Sequence, residues 1–89
     1  MSNLEEFIQE LDLPVEGKLQ GRSYIVDFDR DRDFSNVYNL ISTDNDFHVD
    51  EQSKATTDEL KFVFHNDYFE ITFTADFINN NYRMVVTNK

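Results

Sequence analysis

The stretch DELKFVFHNDYFEITFTADFINNNYRMVVTN, residues 58–88, decides the fold. Apolar and polar residues alternate through three runs, which is the period of strands with one buried face. Segments rich in Asn and Asp separate the runs, and such segments are typical of turns. We therefore predict an antiparallel meander with strands at Asp58 to His65, Tyr68 to Ile78 and Tyr82 to Asn88.

Two short turns set the predicted register of this meander. A two-residue turn at Asn66-Asp67 would place apolar residues opposite each other, namely Phe64 with Phe69, Phe62 with Ile71 and Leu60 with Phe73. A second such turn at Asn79-Asn80 would do the same for Phe77 with Tyr82, Ala75 with Met84 and Phe73 with Val86. It would also pair Asp76 with Arg83 on the opposite face, as a cross-strand pair of unlike charges.

Upstream of the meander, residues 3–12 have the period of an amphipathic helix. Its apolar stripe, at positions i, i+3, i+4 and i+7, consists of Leu4, Phe7, Ile8 and Leu11. Ser2 with Glu5 forms a capping box, and Asn3 with Glu6 is the alternative register. Pro14 ends the helix.

Three further strands are predicted between the helix and the meander, at Lys18 to Phe28, Phe34 to Thr43 and Phe47 to Ser53. A loop at 44–46 would pair Ile41 with Val49 and Thr43 with Phe47. The fold class is then α+β, a single domain over residues 1–89 with helix 3–12 and a five- or six-stranded antiparallel meander over 18–88. A helix about 15 Å long cannot cover a sheet about 24 Å wide. The sheet therefore either curls or leaves part of its apolar face for a partner or a second copy.

Composition excludes several classes of function. The 89 residues include no Cys, which excludes disulfides, thiolate metal sites and Cys nucleophiles, and favours a cytoplasmic location. The N-terminus lacks the basic and apolar segments of a signal peptide. No apolar run approaches the length of a membrane span.

Charge is the strongest compositional signal. Eighteen Asp and Glu against eight Lys and Arg give a net charge of −10. Such a chain repels nucleic acid and attracts basic proteins. The charge is uneven, because residues 1–59 hold fifteen acids and five bases while residues 60–89 hold three of each.

Two acidic clusters are the candidate contacts for a partner. They comprise Asp27, Asp29, Asp31 and Asp33, and then Asp44, Asp46, Asp50 and Glu51. If residues 34–43 are a strand, the clusters lie roughly 34 Å apart. That distance equals about ten base-pair rises, so the acidic flank would imitate a nucleic-acid backbone. Solubility is the alternative role of the same charge.

Catalytic and metal-binding patterns are weak. The run Asp27-Phe-Asp29-Arg-Asp31 begins like a calcium loop, but Arg32 and Tyr38 stand where that loop needs Gly and Glu. No motif positions a Ser nucleophile, and no Gly-rich loop could cradle a phosphate. We expect a protein that is not an enzyme and holds no cofactor or metal.

These observations favour a module that binds and blocks a basic, nucleic-acid-handling protein. In size, acidity, lack of Cys and layout the chain resembles small inhibitors from phages and mobile elements, such as anti-restriction and anti-CRISPR proteins and uracil-DNA glycosylase inhibitor. Nuclease immunity proteins resemble this chain on the same physical grounds. The resemblance is one of general type and assigns no site residue. The alternative is a structural module that dimerises or docks through an uncovered apolar sheet face.

Overall fold

A computed structural model describes residues 4–89, which form two helices and seven strands. Helix α1 spans Leu4–Leu11 and helix α2 spans Asp31–Ser42. The strands are β1 Lys18–Gln20, β2 Ser23–Phe28, β3 His48–Val49, β4 Lys54–Ala55, β5 Glu59–His65, β6 Phe69–Asp76 and β7 Asn81–Asn88. They form one antiparallel sheet in the order β1-β2-β7-β6-β5-β3, with β4 also paired to β5. Two helices and an antiparallel sheet agree with the predicted α+β class.

Strands β5, β6 and β7 form the predicted meander, but both predicted registers are wrong by two residues. A shift of two keeps each side chain on its own face of the sheet, so the predicted apolar face is confirmed. The observed apolar pairs are Phe64 with Ile71, Phe62 with Phe73, Leu60 with Ala75, Ala75 with Tyr82, Phe73 with Met84 and Ile71 with Val86.

The registers differ because the pairs next to the turns are His65 with Glu70 and Asp76 with Asn81, so four residues, not two, separate the paired positions. The Oδ1 atom of Asn66 accepts two backbone N–H bonds, of 2.8 and 2.7 Å, inside its loop. The Oδ1 atom of Asp76 does the same in the second loop. A two-residue type I′ turn needs positive φ at both central residues, whereas in the second loop only Asn80 has one, of 56°.

The predicted pairing of Asp76 with Arg83 is also wrong. In the observed register Arg83 lies opposite Thr74 on β6 and opposite Asp27 on β2. Its guanidinium forms its salt bridge with Asp27. The pairing of β2 with β7 therefore decides the partner of Arg83.

Helix α1 agrees with the predicted helix 3–12 over most of its length. The predicted capping residues Ser2 and Asn3 lie outside the described residues. Asp12 has a φ of 49°, in the left-handed region, just after the helix ends. The apolar stripe packs on the core, and the ring of Phe7 stacks on that of Phe69 with centroids 4.6 Å apart.

The predicted strand from Phe34 to Thr43 is wrong, because these residues belong to α2 and its C-cap. The buried side chains recur at i, i+3 and i+7, with half-buried Tyr38 at i+4, which is the period of a helix. The buried side chains are Phe34, Val37 and Ile41.

The predicted pairs of Ile41 with Val49 and Thr43 with Phe47 are wrong for the same reason. Thr43 is the C-cap of α2, and its N–H donates to the carbonyl oxygen of Asn39, while the N–H of Asp44 donates to that of Ile41.

The predicted strands on either side of α2 are shorter than expected. Within the predicted strand from Phe47 to Ser53 the structure has only β3, of two residues, followed by a turn. The two-residue strand β4 begins after that turn, and both β3 and β4 pair with β5. The predicted strand from Lys18 to Phe28 is a hairpin, broken near Gly21, which has a φ of +60°. Its second strand, β2, lies beside the last strand of the chain, β7. The sheet as a whole is therefore not a sequential meander.

Both helices pack on the apolar face of the sheet, which we call the inner face. Phe34 of α2 contacts the rings of Phe28, Phe73 and Tyr82, with centroids 5.9, 5.7 and 5.5 Å away. Helix α2 therefore covers sheet area that a single N-terminal helix would have left open. The opposite face of the sheet, the outer face, has no helix against it in the part of the chain described.

Candidate functional site

The whole excess of negative charge lies on two segments, residues 4–17 and 31–53, which we call the acidic layer. These segments contain both helices and the turns that follow α2. They hold eleven acids and one base, whereas residues 18–30 and 54–89 hold seven of each. Since both helices pack on the inner face, the molecule has a strongly acidic side and an electrically balanced sheet.

The first predicted cluster is divided between two sides of the molecule. Asp27 lies on the outer face and binds Arg83, with Nε–Oδ1 2.7 Å and Nη2–Oδ2 3.3 Å. This hydrogen bond, and secondarily the carboxylate charge, raises the pKa of the Arg83 guanidinium. Asp27 is thus partly neutralised within the fold and lies apart from the acidic layer.

The rest of the first cluster lies at the start of α2. Asp29 is exposed in the bend before the helix, and Asp31 and Asp33 occupy its first turn. Carboxylates at this end stabilise the helix dipole. Asp31 also accepts a hydrogen bond of 3.1 Å from the hydroxyl of Ser35. These carboxylates therefore have a structural role whether or not they contact a partner.

The second predicted cluster follows the other end of α2. Asp44 and Asp50 each accept a backbone N–H two residues ahead, at 2.9 and 2.8 Å. Asp46 and Glu51 are exposed. The twelve residues of α2 separate the clusters by about 18 Å, so the predicted 34 Å spacing and its match to ten base pairs are wrong.

Acids from three separate segments meet at this second end, in a cleft of about 500 Å³. We call it the acidic cleft. Its acids are Glu10 of α1, Asp44 and Asp46 of the α2–β3 loop, and Asp67 of the β5–β6 loop. Neither Lys nor Arg is among its lining residues. The cleft therefore combines concave shape with a negative potential.

The floor of the acidic cleft is aromatic. Phe7, Phe47 and Phe69 line it, and Phe7 lies 5.9 and 4.6 Å, centroid to centroid, from the other two rings. Exposed Tyr68 lines the cleft as well. Carboxylates around aromatic rings suit a cationic side chain, through charge and through the ring faces.

One ammonium of the chain already lies at this rim. The Nζ of Lys89 donates a 2.6 Å hydrogen bond to the carbonyl oxygen of Asn66, a residue that lines the acidic cleft. The backbone N–H of Lys89 also bonds to the carbonyl of Tyr68. The rim therefore already binds one lysine ammonium, that of the chain itself.

The predicted contact residues did not include Glu10 or Asp67. Glu10 follows Phe7 by three residues, so the two share a helix side, and this signal was available. Asp67 joins the cleft only because the β5–β6 loop lies next to α1 and the α2–β3 loop. No pattern in the sequence predicts that these loops lie close together.

A larger open hollow of about 1160 Å³ lies at one end of the sheet. Its charged lining is mixed, with Lys54, Lys61 and Arg83 beside four acids: Asp27, Asp29, Glu59 and Asp76. Within residues 4–89, no group of three or more His, Asp or Glu side chains is placed to hold a metal ion. In the same range, neither helix is long and apolar enough to cross a membrane.

Comparison with protein-family models, with curated proteins and with solved structures gives no match for this chain.

Proposed function

We propose that this protein acts by binding, and that its acidic layer docks on a basic surface of a partner protein. The observation that carries the proposal is the division of charge. Eleven acids and one base occupy the two segments of the acidic layer, while the remainder of the chain is balanced. If the charge served only solubility, it would not need to be confined to these segments.

The acidic cleft, where this layer meets the β5–β6 loop, provides the anchor. A lysine or arginine of the partner would place its charge among Glu10, Asp44, Asp46 and Asp67. Its aliphatic stem would cover the aromatic floor, because such side chains bury their stems and keep the charged end among polar groups. The amine of Lys89 at the rim supports this assignment.

Basic surfaces of this kind are typical of proteins that handle nucleic acid. Occupation of such a surface would block its access to nucleic acid, so the biological role we propose is that of an inhibitor or immunity protein. The proposal rests on charge distribution and on the cleft, and not on a match to the repeat of a duplex.

Two triple variants with equal changes in net charge test the proposal. One removes three exposed acids of the acidic layer, Glu6→Gln, Glu10→Gln and Asp46→Asn. Its control removes three exposed acids elsewhere, Asp58→Asn, Glu59→Gln and Glu70→Gln. Partners are captured from nuclease-treated host lysate with the unmodified chain, identified, and then measured by surface binding kinetics.

We expect the first variant to lower the association rate constant at least tenfold at low salt, and the control to change it less than threefold. The rate with the unmodified chain should fall steeply as salt rises. Equal effects of the two variants, or an association rate that ignores salt, would refute the proposal.

A further inference from the structure

The outer face of the sheet carries an apolar row between two polar rows. The apolar row crosses strands β2, β7, β6 and β5 as Ile25, Val85, Thr72 and Val63. On one side lies the row Asp27, Arg83, Thr74 and Lys61. On the other side lies the row Ser23, Thr87, Glu70 and His65. The four residues of the apolar row are half-buried, and neither helix packs on them.

We infer that this outer face is the contact surface for a second copy of the chain. A two-fold axis lying in the contact plane, parallel to the strands and midway between β6 and β7, places β2 against β5 and β7 against β6 of the other copy. Each row then meets itself in reverse order, as an isologous contact requires. This inference concerns a different face from the acidic layer and does not depend on the proposed function.

The charges on the face favour this axis over an axis on β7 or on β6. It places Asp27 opposite Lys61 of the second copy, twice over, and Arg83 opposite the neutral Thr74. Moving the axis onto β7 would place Arg83 against its own copy. Moving it onto β6 would place Arg83 against Lys61. Like charges opposed across a contact are unfavourable, so neither of these two positions suits the charges. The position between β6 and β7 is also central to the four strands, so all four strands of each copy take part in the contact.

The same axis also brings the apolar rows of the two copies into contact. Ile25 meets Val63 of the second copy and Val85 meets Thr72, so each apolar side chain of one copy faces a branched side chain of the other. The next row beyond Asp27 and Arg83 contains Asn81, Asp76 and Glu59. The register of β2, continued by two residues, places Asp29 at the end of this row. The axis would then oppose Glu59 to Asp29 of the second copy, so the contact ends before this row.

The acidic layers do not oppose this contact. The helices of each layer lie behind their own sheet, whereas residues 48–50 pair with β5 at the edge of the sheet. Two packed sheets are about 10 Å apart with helices about 10 Å further out. The helices of the two layers are therefore about 30 Å apart, several Debye lengths at physiological salt. Face-to-face pairing would leave both acidic layers open to partners.

The area sets the expected strength. Four strands about 4.8 Å apart and three rows about 6.8 Å apart define a footprint of about 400 Å². A standard interface buries about 800 Å² on each partner. A contact this small is typical of weak association, so we expect a dissociation constant on the order of 0.1 to 1 mM.

Sedimentation equilibrium at physiological salt tests this, from about 20 μM to 2 mM. The mean mass should rise from that of the 10.6 kDa monomer toward twice that value. Lys61→Glu should lower the association constant at least fivefold, because it replaces two attractive pairs by two repulsive ones. Arg32→Glu, an exposed change of equal charge on α2, should lower it less than twofold.

Amide chemical shifts over the same concentration range locate the contact. They should change on β2, β5, β6 and β7 and stay constant on α1 and α2. A monomer at 2 mM, shift changes confined to the helices, or equal losses for Lys61→Glu and Arg32→Glu would each overturn the inference.

Discussion

Asp27 and Arg83, 56 positions apart in the chain, face each other across β2 and β7 and form a two-point salt bridge. The pair links the N-terminal hairpin to strand β7. This pairing of β2 with β7 is the reason why the sheet is not a sequential meander. The side chains remain 65% and 53% exposed respectively. The pair therefore marks the strand register without contributing much free energy.

A double-mutant cycle with Asp27→Asn and Arg83→Gln should measure a small coupling in the free energy of unfolding. We expect about 0.5 kcal/mol at low salt, since exposed pairs are screened and their side chains lose entropy. The coupling should fall further in 1 M salt. Urea unfolding at about 5 μM protein, where the chain is monomeric, gives the values. A coupling free energy above about 1.5 kcal/mol, or one that does not change with salt concentration, would contradict this prediction.

Tyr38 should be the most sensitive test of how α2 packs. Its ring lies edge-on to Phe62, Phe64 and Phe73, with centroids 5.8, 5.7 and 5.3 Å away. Tyr38→Ala should lower the free energy of unfolding by about 2–4 kcal/mol, because it leaves a cavity under the helix. Exposed Asn39→Ala is the control and should change it by less than about 0.5 kcal/mol.

Tyr38→Phe separates the ring from the hydroxyl. Partial burial raises the pKa of Tyr38. Removing the hydroxyl should therefore change the free energy of unfolding by less than about 1 kcal/mol. If Tyr38→Ala lowered the free energy of unfolding no more than Asn39→Ala, the ring of Tyr38 would not pack between α2 and the sheet.

The failure to predict α2 has a physical cause in its composition. Residues 31–42 include Asp, Ser and Asn, which have modest helix propensity, together with aromatic and β-branched residues that are common in strands. The helical spacing of Phe34, Val37, Tyr38 and Ile41 was present but was outweighed by this composition. Packing on the sheet stabilises the helix, as is usual for short helices. By contrast, the alternation in 58–88 was strong enough to predict three strands and their buried face.

The candidate site was predictable only in its charge. The bias toward the N-terminal part can be counted in the sequence, and the structure narrows it to the acidic layer. The acidic cleft was beyond prediction, because Glu10, Asp46 and Asp67 come together only through the packing of three segments. The separation of Asp27 from the other acids likewise depends on the pairing of β2 with β7, which no local pattern indicates.

Asp76 should make the β6–β7 loop sensitive to acid. The side-chain amide of Asn79, at 2.7 Å, and backbone N–H groups of the loop lower the pKa of Asp76 below its ordinary value of 3.8. A carboxylate with a lowered pKa in the folded state stabilises that state above its unfolded pKa. This stabilisation is lost as the pH falls through the folded pKa. The loop should therefore loosen below about pH 4, the ordinary titration range of Asp.

Amide hydrogen exchange of Ile78 and Asn79 between pH 5 and pH 3, corrected for intrinsic rates, measures this change. Protection should fall with the pH in the unmodified chain. Asp76→Asn, which keeps an acceptor but does not titrate, should show no such fall. A loss of protection of the same size in both proteins would assign the acid sensitivity to other carboxylates.

Gly17 lies where the chain approaches β2 too closely for any side chain. A Cβ at this position would lie 2.5 Å from the carbonyl oxygen of Ile25 and 2.8 Å from side-chain atoms of Tyr24 and Val26. The N–H of Gly17 also donates a 2.8 Å hydrogen bond to the hydroxyl of Tyr24. Gly17→Ala should force the segment away from the strand and lower the free energy of unfolding by about 1–3 kcal/mol.

The other glycine supplies the control for this last change. Gly21 has a φ of +60° and open space where a Cβ would be, and Asn tolerates that conformation. Gly21→Asn should therefore change the free energy of unfolding by less than about 1 kcal/mol. Urea unfolding of both variants decides the matter. If Gly17→Ala is no more destabilising than Gly21→Asn, the segment between α1 and β1 does not pack against Tyr24. Asp12 and Glu16, the acidic residues of that segment, would then not be held beside the sheet as part of the acidic layer.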